Sequence, residues 1–212
     1  MAPAVLTAAL LLAVPAPAAA QTSDEPPAVS IRGFVDVAYM TFQADQTFDA
    51  IFGESSGPLF GGGGEVGFGP GIFVRVSVRR FEKDGERALV FNNEVFRLGI
   101  PLTVTMVPVE VTGGYRFMRR SRLVPYAGGG IGSVSYKEES GFAEPGENVD
   151  ERFTSYHVLG GIEYRIARWI AVAFDAQYTR VPDSIGQGGL SQEFREDDLG
   201  GTSVHLKFIV GR

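Results

Sequence analysis

The feature that most constrains this chain is a period-two alternation from Phe153 to Arg180. Thr154, Tyr156, Val158, Gly160, Ile162, Tyr164 and Ile166 form a mostly apolar set, and Ser155, His157, Leu159, Gly161, Glu163 and Arg165 a mostly polar one. Successive side chains of a strand point to opposite faces, so this spacing predicts a two-faced strand. The pattern resumes after Ala167–Trp169, where Ile170, Val172, Phe174, Ala176 and Tyr178 stand against Ala171, Ala173, Asp175, Gln177 and Thr179. Two long strands on a very short turn make a hairpin whose apolar face needs either a soluble core or lipid.

Six further stretches carry the same period, which predicts eight strands and no helix. The first spans Ser30–Phe42, with Phe34 and Met40 as apolar exceptions on its polar face. The second, Leu59–Phe68, contains the glycine run Gly61–Gly64, which permits close backbone approach or a sharp bend. The third starts at Ile72 after the turn Gly69-Pro70-Gly71, with Phe73 as its exception. The fourth spans Leu102–Phe117 and holds Pro108, which cannot donate to a ladder and predicts a bulge. The fifth covers Val124–Lys137 and the eighth Thr202–Gly211. Loop composition predicts long connections at residues 43–58, 82–98, 138–151 and 181–200, with tight turns between the other strands. Long connections on one side, short turns on the other and an even strand count fit a closed transmembrane barrel. A lipocalin-like soluble barrel shares the strand number but does not require that asymmetry.

Val5–Val14 is a run of apolar and small residues, and Ala18–Gln21 offers a small-residue cleavage site. The run is shorter than the roughly 20 apolar residues of a spanning helix. Residues 1–21 therefore read as a cleavable export signal, 22–29 as a short periplasmic lead, and 30–212 as the barrel. The chain has no cysteine, which excludes disulfides and thiolate metal sites.

The polar sets of the strands contain Arg32, Asp36, Glu65, Arg75, Arg79, Glu110, Arg116, Glu163, Arg165, Asp175 and Lys207, joined by His157 and His205. Their opposite charges nearly balance. An eight-stranded barrel has room for side chains but hardly for a wide aqueous channel, so these residues predict a salt-bridged lumen. Tyr115, Phe117, Tyr164 and Trp169 fall near the short turns, where an interfacial aromatic girdle belongs.

With the export signal, the alternation and segments such as Val124-Pro125-Tyr126-Ala127-Gly128-Gly129-Gly130-Ile131-Gly132 and Leu159-Gly160-Gly161-Ile162-Glu163-Tyr164, residues 30–212 resemble the small eight-stranded outer-membrane barrels of the OmpA/OmpX/OmpW-like group. The resemblance implies a bacterial outer-membrane monomer with both termini in the periplasm. Its partners would be outer-membrane lipid and lipopolysaccharide, and the assembly machinery during biogenesis. Such barrels often end in an aromatic residue, whereas this chain ends Phe208-Ile209-Val210-Gly211-Arg212, which shifts that signal to Phe208.

Three constellations carry possible chemistry. Ser155 and Ser203 each lie two residues from a histidine on the same face, a pairing reminiscent of lipid-modifying barrel enzymes. The acidic loop with Glu193, Glu196, Asp197 and Asp198 offers hard oxygen ligands, but its spacing does not match an EF-hand. Arg119, Arg120 and Arg122 could meet phosphate groups or simply occupy a periplasmic turn. No catalytic, cofactor or metal site and no nucleic-acid partner is expected. The leading expectation is a non-enzymatic barrel with a largely plugged lumen, in envelope structure or surface interaction. A narrow solute channel, a lipid-modifying enzyme and a soluble ligand-binding barrel are the alternatives.

Overall fold

The computed structural model describes residues 29–91, 94–140, 149–186 and 189–211. The signal segment and nearly all of the lead lie outside them. Val29, assigned to the lead, already belongs to the first strand. Eight strands follow in order: β1 Val29–Phe42, β2 Ser56–Phe68, β3 Ile72–Phe91, β4 Glu94–Arg116, β5 Leu123–Ser140, β6 Val149–Ala167, β7 Ile170–Arg180 and β8 Gly201–Gly211. Each pairs antiparallel with its sequence neighbours, and β8 pairs back onto β1 from Arg32↔Gly211 to Phe42↔Gly201. Closure leaves no ring strand with an open row of N–H and C=O groups, the condition for crossing hydrocarbon.

The two faces of the wall follow the alternation. Val35, Val37, Val74, Val76, Val109, Val111, Val158, Ile162, Phe174 and Leu206 are exposed on the outside. Phe34 and Phe73, the exceptions to the polar sets, are buried inside the barrel. Two aromatic belts bound the apolar band. Phe68, Tyr115, Phe117, Tyr164 and Trp169 circle the short-turn end, and Tyr39, Tyr156 and Tyr178 the opposite one. From Tyr164 to Tyr156 the chain climbs about 27 Å along the strand at ~3.4 Å per residue. At a tilt of roughly 40° that is about 21 Å along the normal, close to the ~25 Å lipid-facing band of such barrels.

Three expectations need correction. Residues 82–98, read as a loop from Glu82–Arg87 and Asn92–Asn93, are almost entirely strand, because β3 and β4 continue upward as a paired ribbon. Charged residues are acceptable in strands outside lipid, so composition there marks water rather than a loop. The 138–151 loop likewise shrinks, with β5 reaching Ser140 and β6 starting at Val149. Pro108 produces no bulge: Val78↔Val109 and Phe81↔Met106 keep one register, and only the intervening pairing is lost. The register shift lies between Glu86 and Ala88 instead.

Two short helices also occur where none was expected, α1 at Asp45–Phe52 and α2 at Gly189–Phe194. Helix α1 is held at both ends. Its first amides, on Gln46 and Thr47, donate to the Glu196 carboxylate at 2.9 Å each, a favourable place for a negative charge. At its other end Gly53 adopts φ 76° and donates to the Asp49 carbonyl, as left-handed caps do.

Candidate functional site

The lumen has two storeys. The lower one, nearer the short turns, is ionic. Glu65 accepts from Arg32 (Nη2–Oε1 2.8 Å), Arg75 (Nη2–Oε2 3.0 Å) and Arg116. Glu163 accepts from Arg32 at 2.8 Å, Arg116 at 3.3 Å and Arg165 at 3.4 Å. Two carboxylates from β2 and β6 thus bind four guanidiniums from β1, β3, β4 and β6, tying opposite walls together. The guanidinium of Arg75 also lies 5.1 Å from the Phe73 ring centre and 5.4 Å from those of Phe34 and Tyr126. Above them Lys207 and the Tyr126 hydroxyl both donate to Asp175 Oδ2.

A second ionic layer follows. Arg79 bridges Asp36 (Nε–Oδ2 2.8 Å) and Glu110 (Nη1–Oε2 2.6 Å). Gln177 donates to the other Glu110 oxygen at 2.8 Å. His157 Nε2 lies 2.8 Å from the Thr112 hydroxyl, and its Nδ1 is 3.9 Å from Glu110. His205 contacts Ser203 through Nε2 at 2.8 Å and Asp36 Oδ2 through Nδ1 at 3.2 Å. All thirteen residues singled out for the lumen face inward, in two layers: Arg32, Glu65, Arg75, Arg116, Glu163 and Arg165 with the Lys207–Asp175 pair beside them, and Asp36, Arg79, Glu110, His157 and His205 above. Arg165 sits at the mouth, half-buried.

Glycine makes the space. Gly63 faces inward, and a Cβ there would overlap the Val76 carbonyl and come within 2.8 Å of the Phe34 ring. A Cβ on Gly130 would come within 2.9 Å of His157 Cε1. The glycine runs are therefore seats for large lumenal side chains.

The upper storey is apolar, and the sequence reading missed it. Phe42, Leu59, Phe81, Leu102, Val104, Met106, Val134 and Leu199 form one buried cluster. Phe48 of α1 closes it, stacked 4.2 Å from Phe42, with Phe81 edge-on to Phe42 at 5.1 Å. Its signal was present in the inward positions of β4, which change from Thr112 and Glu110 to Met106, Val104 and Leu102 as the strand rises.

The Ser203–His205–Asp36 chain has the order of a hydrolytic triad. Its surroundings argue against that role. All three residues are buried in the lumen, and Asp36 Oδ2 is shared with Arg79. Ser155, the other candidate hydroxyl, is not hydrogen-bonded to His157 among the described residues. The acidic run is structural: Glu196 caps α1, while Asp198 accepts from the amides of Val181 and Gly200, each at 2.7 Å, and pairs with Arg180. Among the described residues no group of three or more histidine or carboxylate side chains could hold a metal.

A closed antiparallel barrel with an apolar exterior, aromatic belts and a filled polar interior is an integral β-barrel of a membrane. The model of the outer membrane protein beta-barrel domain matches residues 6–208, and the chain belongs to that family, which places it in the bacterial outer membrane. No curated protein matches it. Among solved structures, a major outer membrane protein from Thermus thermophilus is 10% identical with a TM-score of 0.53, over 86% of this chain and 99% of that one. Neisserial surface protein A is 12% identical with a TM-score of 0.48, over 87% and 96% respectively. The attachment invasion locus protein Ail of Yersinia pestis is 13% identical with a TM-score of 0.46, over 86% and 94%.

Proposed function

We propose that this protein is a non-enzymatic, monomeric outer-membrane barrel that contributes to envelope structure and displays an extracellular surface. The carrying observation is the double closure of its lumen, salt-bridged below and apolar above. Large side chains occupy both storeys, and Phe48 of α1 packs into the upper one. The surface on offer is the ribbon of β3 to β6. β4 has 23 residues against 11 in β7, an excess of about 40 Å of strand. Lipopolysaccharide and outer-membrane lipid would surround the apolar band, and the assembly machinery would act on the chain during biogenesis. Residues 1–21 would be removed on export.

Planar-bilayer recording of the refolded chain tests this reading. A silent membrane, with barrel formation verified separately by heat-modifiable mobility, is the expected result. Reproducible discrete openings would instead establish a channel.

A further inference from the structure

Four arginines at the short-turn end take no part in the lumen network. Arg120, Arg122 and Arg168 are exposed and Arg119 is half-buried. Among the described residues none of the four has a carboxylate partner. Among the described residues the acidic groups toward that end, Glu65 and Glu163, are turned inward and already bound to arginine. Burial, then the like charges of Arg165 and Arg32, push the Arg119 guanidinium down from its ordinary value. Among the described residues this end of the molecule therefore carries four arginines with no carboxylate to offset them.

The turns that carry these residues are locked together. Arg165 N donates to the Arg122 carbonyl at 2.9 Å, and the Arg165 side chain donates to the Arg119 carbonyl. Arg119 in turn donates to the Gly69 carbonyl, and Ser121 N to that of Met118 at 2.9 Å. The β2–β3, β4–β5 and β6–β7 turns thus form one braced platform. Exposed Phe117, Leu123, Tyr164 and Trp169 lie at the same end, within the turns or on the first strand residues beside them. Aromatic belts mark the headgroup level, so cations just beyond this one stand where lipid phosphates lie.

We propose that the β4–β5 and β6–β7 turns seat the headgroup of an anionic phospholipid of the periplasmic leaflet. Arg120, Arg122 and Arg168 face its phosphate, and Phe117, Leu123, Tyr164 and Trp169 lie along its acyl chains. Arg119 and Arg165 are positioning residues, bonded to backbone carbonyls of the platform. The seat is independent of whether the lumen conducts.

Native mass spectrometry of the full chain, released from detergent with equal amounts of phosphatidylglycerol and phosphatidylethanolamine of matched acyl chains, tests it. Retention of phosphatidylglycerol at least about tenfold over phosphatidylethanolamine is expected, the scale of one to two cations near an anionic surface. The triple variant Arg120→Gln/Arg122→Gln/Arg168→Gln should lose that preference. Arg195→Gln at the opposite end should keep it. Equal retention of the two lipids by the unmodified chain overturns the proposal, as does a preference that survives the triple variant. Displacement by millimolar inorganic phosphate, or preferential occupancy of the same residues by lipid A, overturns the phospholipid assignment. The unmodified chain decides the central question even where the triple variant fails to refold, and Arg168→Gln alone supplies a milder comparison.

Discussion

Lys207 of β8 and Asp175 of β7 form an ion pair inside the barrel with neither side chain exposed to solvent. They sit diagonally, two residues off register, since Lys207 opposes Ala173 and Asp175 opposes His205. Tyr126 from β5 donates to the same Asp175 oxygen, so a third strand joins the pair past the intervening β6. Removing one partner of a buried pair strands the other's charge. Lys207→Met should therefore destabilise the barrel by ~3–5 kcal/mol, whereas Lys207→Met/Asp175→Leu should recover most of that loss. Reversible denaturant unfolding in lipid vesicles measures both. Simple additivity of the two single variants would show that the residues do not act as a pair.

Glycine gives a sharper contrast. At Gly63 a methyl group would meet the Val76 carbonyl and the Phe34 ring, while at Gly113 it would meet nothing within 4 Å. Gly63→Ala should cost at least ~1–3 kcal/mol, the usual range for overpacking. Gly113→Ala, on the lipid face, should leave the unfolding midpoint nearly unchanged. If the two variants behave alike, the packing role of the inward glycines is wrong.

The alternation of the hairpin from Phe153 to Arg180 made the inward faces of β6 and β7 legible, because a strand's period fixes every side chain once one is placed. Phe34 and Phe73 look like errors in that pattern until the structure sets their rings beside Arg75. The extent of β3 and β4 was not legible. Lys83 and Asp84 read as a loop because composition reports contact with water, and a strand that leaves the membrane is bathed in water too. Glu196 and Asp198 were equally opaque. Their partners lie on α1 and at the ends of β7 and β8, and no spacing within the acidic run encodes them.

The apolar storey should behave as a stability element rather than a gate acting alone. Phe81 is fully buried against Phe42. Phe81→Ala should destabilise by ~3–5 kcal/mol yet leave bilayers silent, because the Arg79–Asp36–Glu110 layer still crosses the lumen below it. Openings in Phe81→Ala alone would mean that the ionic layers are permeable and that the apolar cluster is the seal.

Ser203, His205 and Asp36 invite a test for hydrolysis. Their burial and the sharing of Asp36 with Arg79 predict that a fluorophosphonate probe leaves the folded protein unlabelled, and that acyl release from lipid stays at background. Labelling that disappears in Ser203→Ala would overturn the non-enzymatic reading.

The long β3–β4 ribbon should be separable from the barrel. β3 pairs with β2 only as far as Arg80, opposite Phe60, so the ribbon above that level adds nothing to ring closure. Its upper part is nevertheless tied to the cap, since Arg97 donates to the carbonyls of Ala50 and Asp49, both at 3.2 Å. Shortening β3 and β4 so that a two-residue turn joins Arg87 to Leu98 removes those bonds and leaves the plug residues Phe81, Leu102, Val104 and Met106 in place. The truncated protein should keep the heat-modifiable mobility of a closed barrel. Hydrogen exchange should rise within Asp45–Phe52, because α1 loses two carbonyl contacts, while protection across β7 and β8 stays as before. Loss of the closed barrel on truncation would show that the ribbon is part of the folding unit and not a surface carried by it.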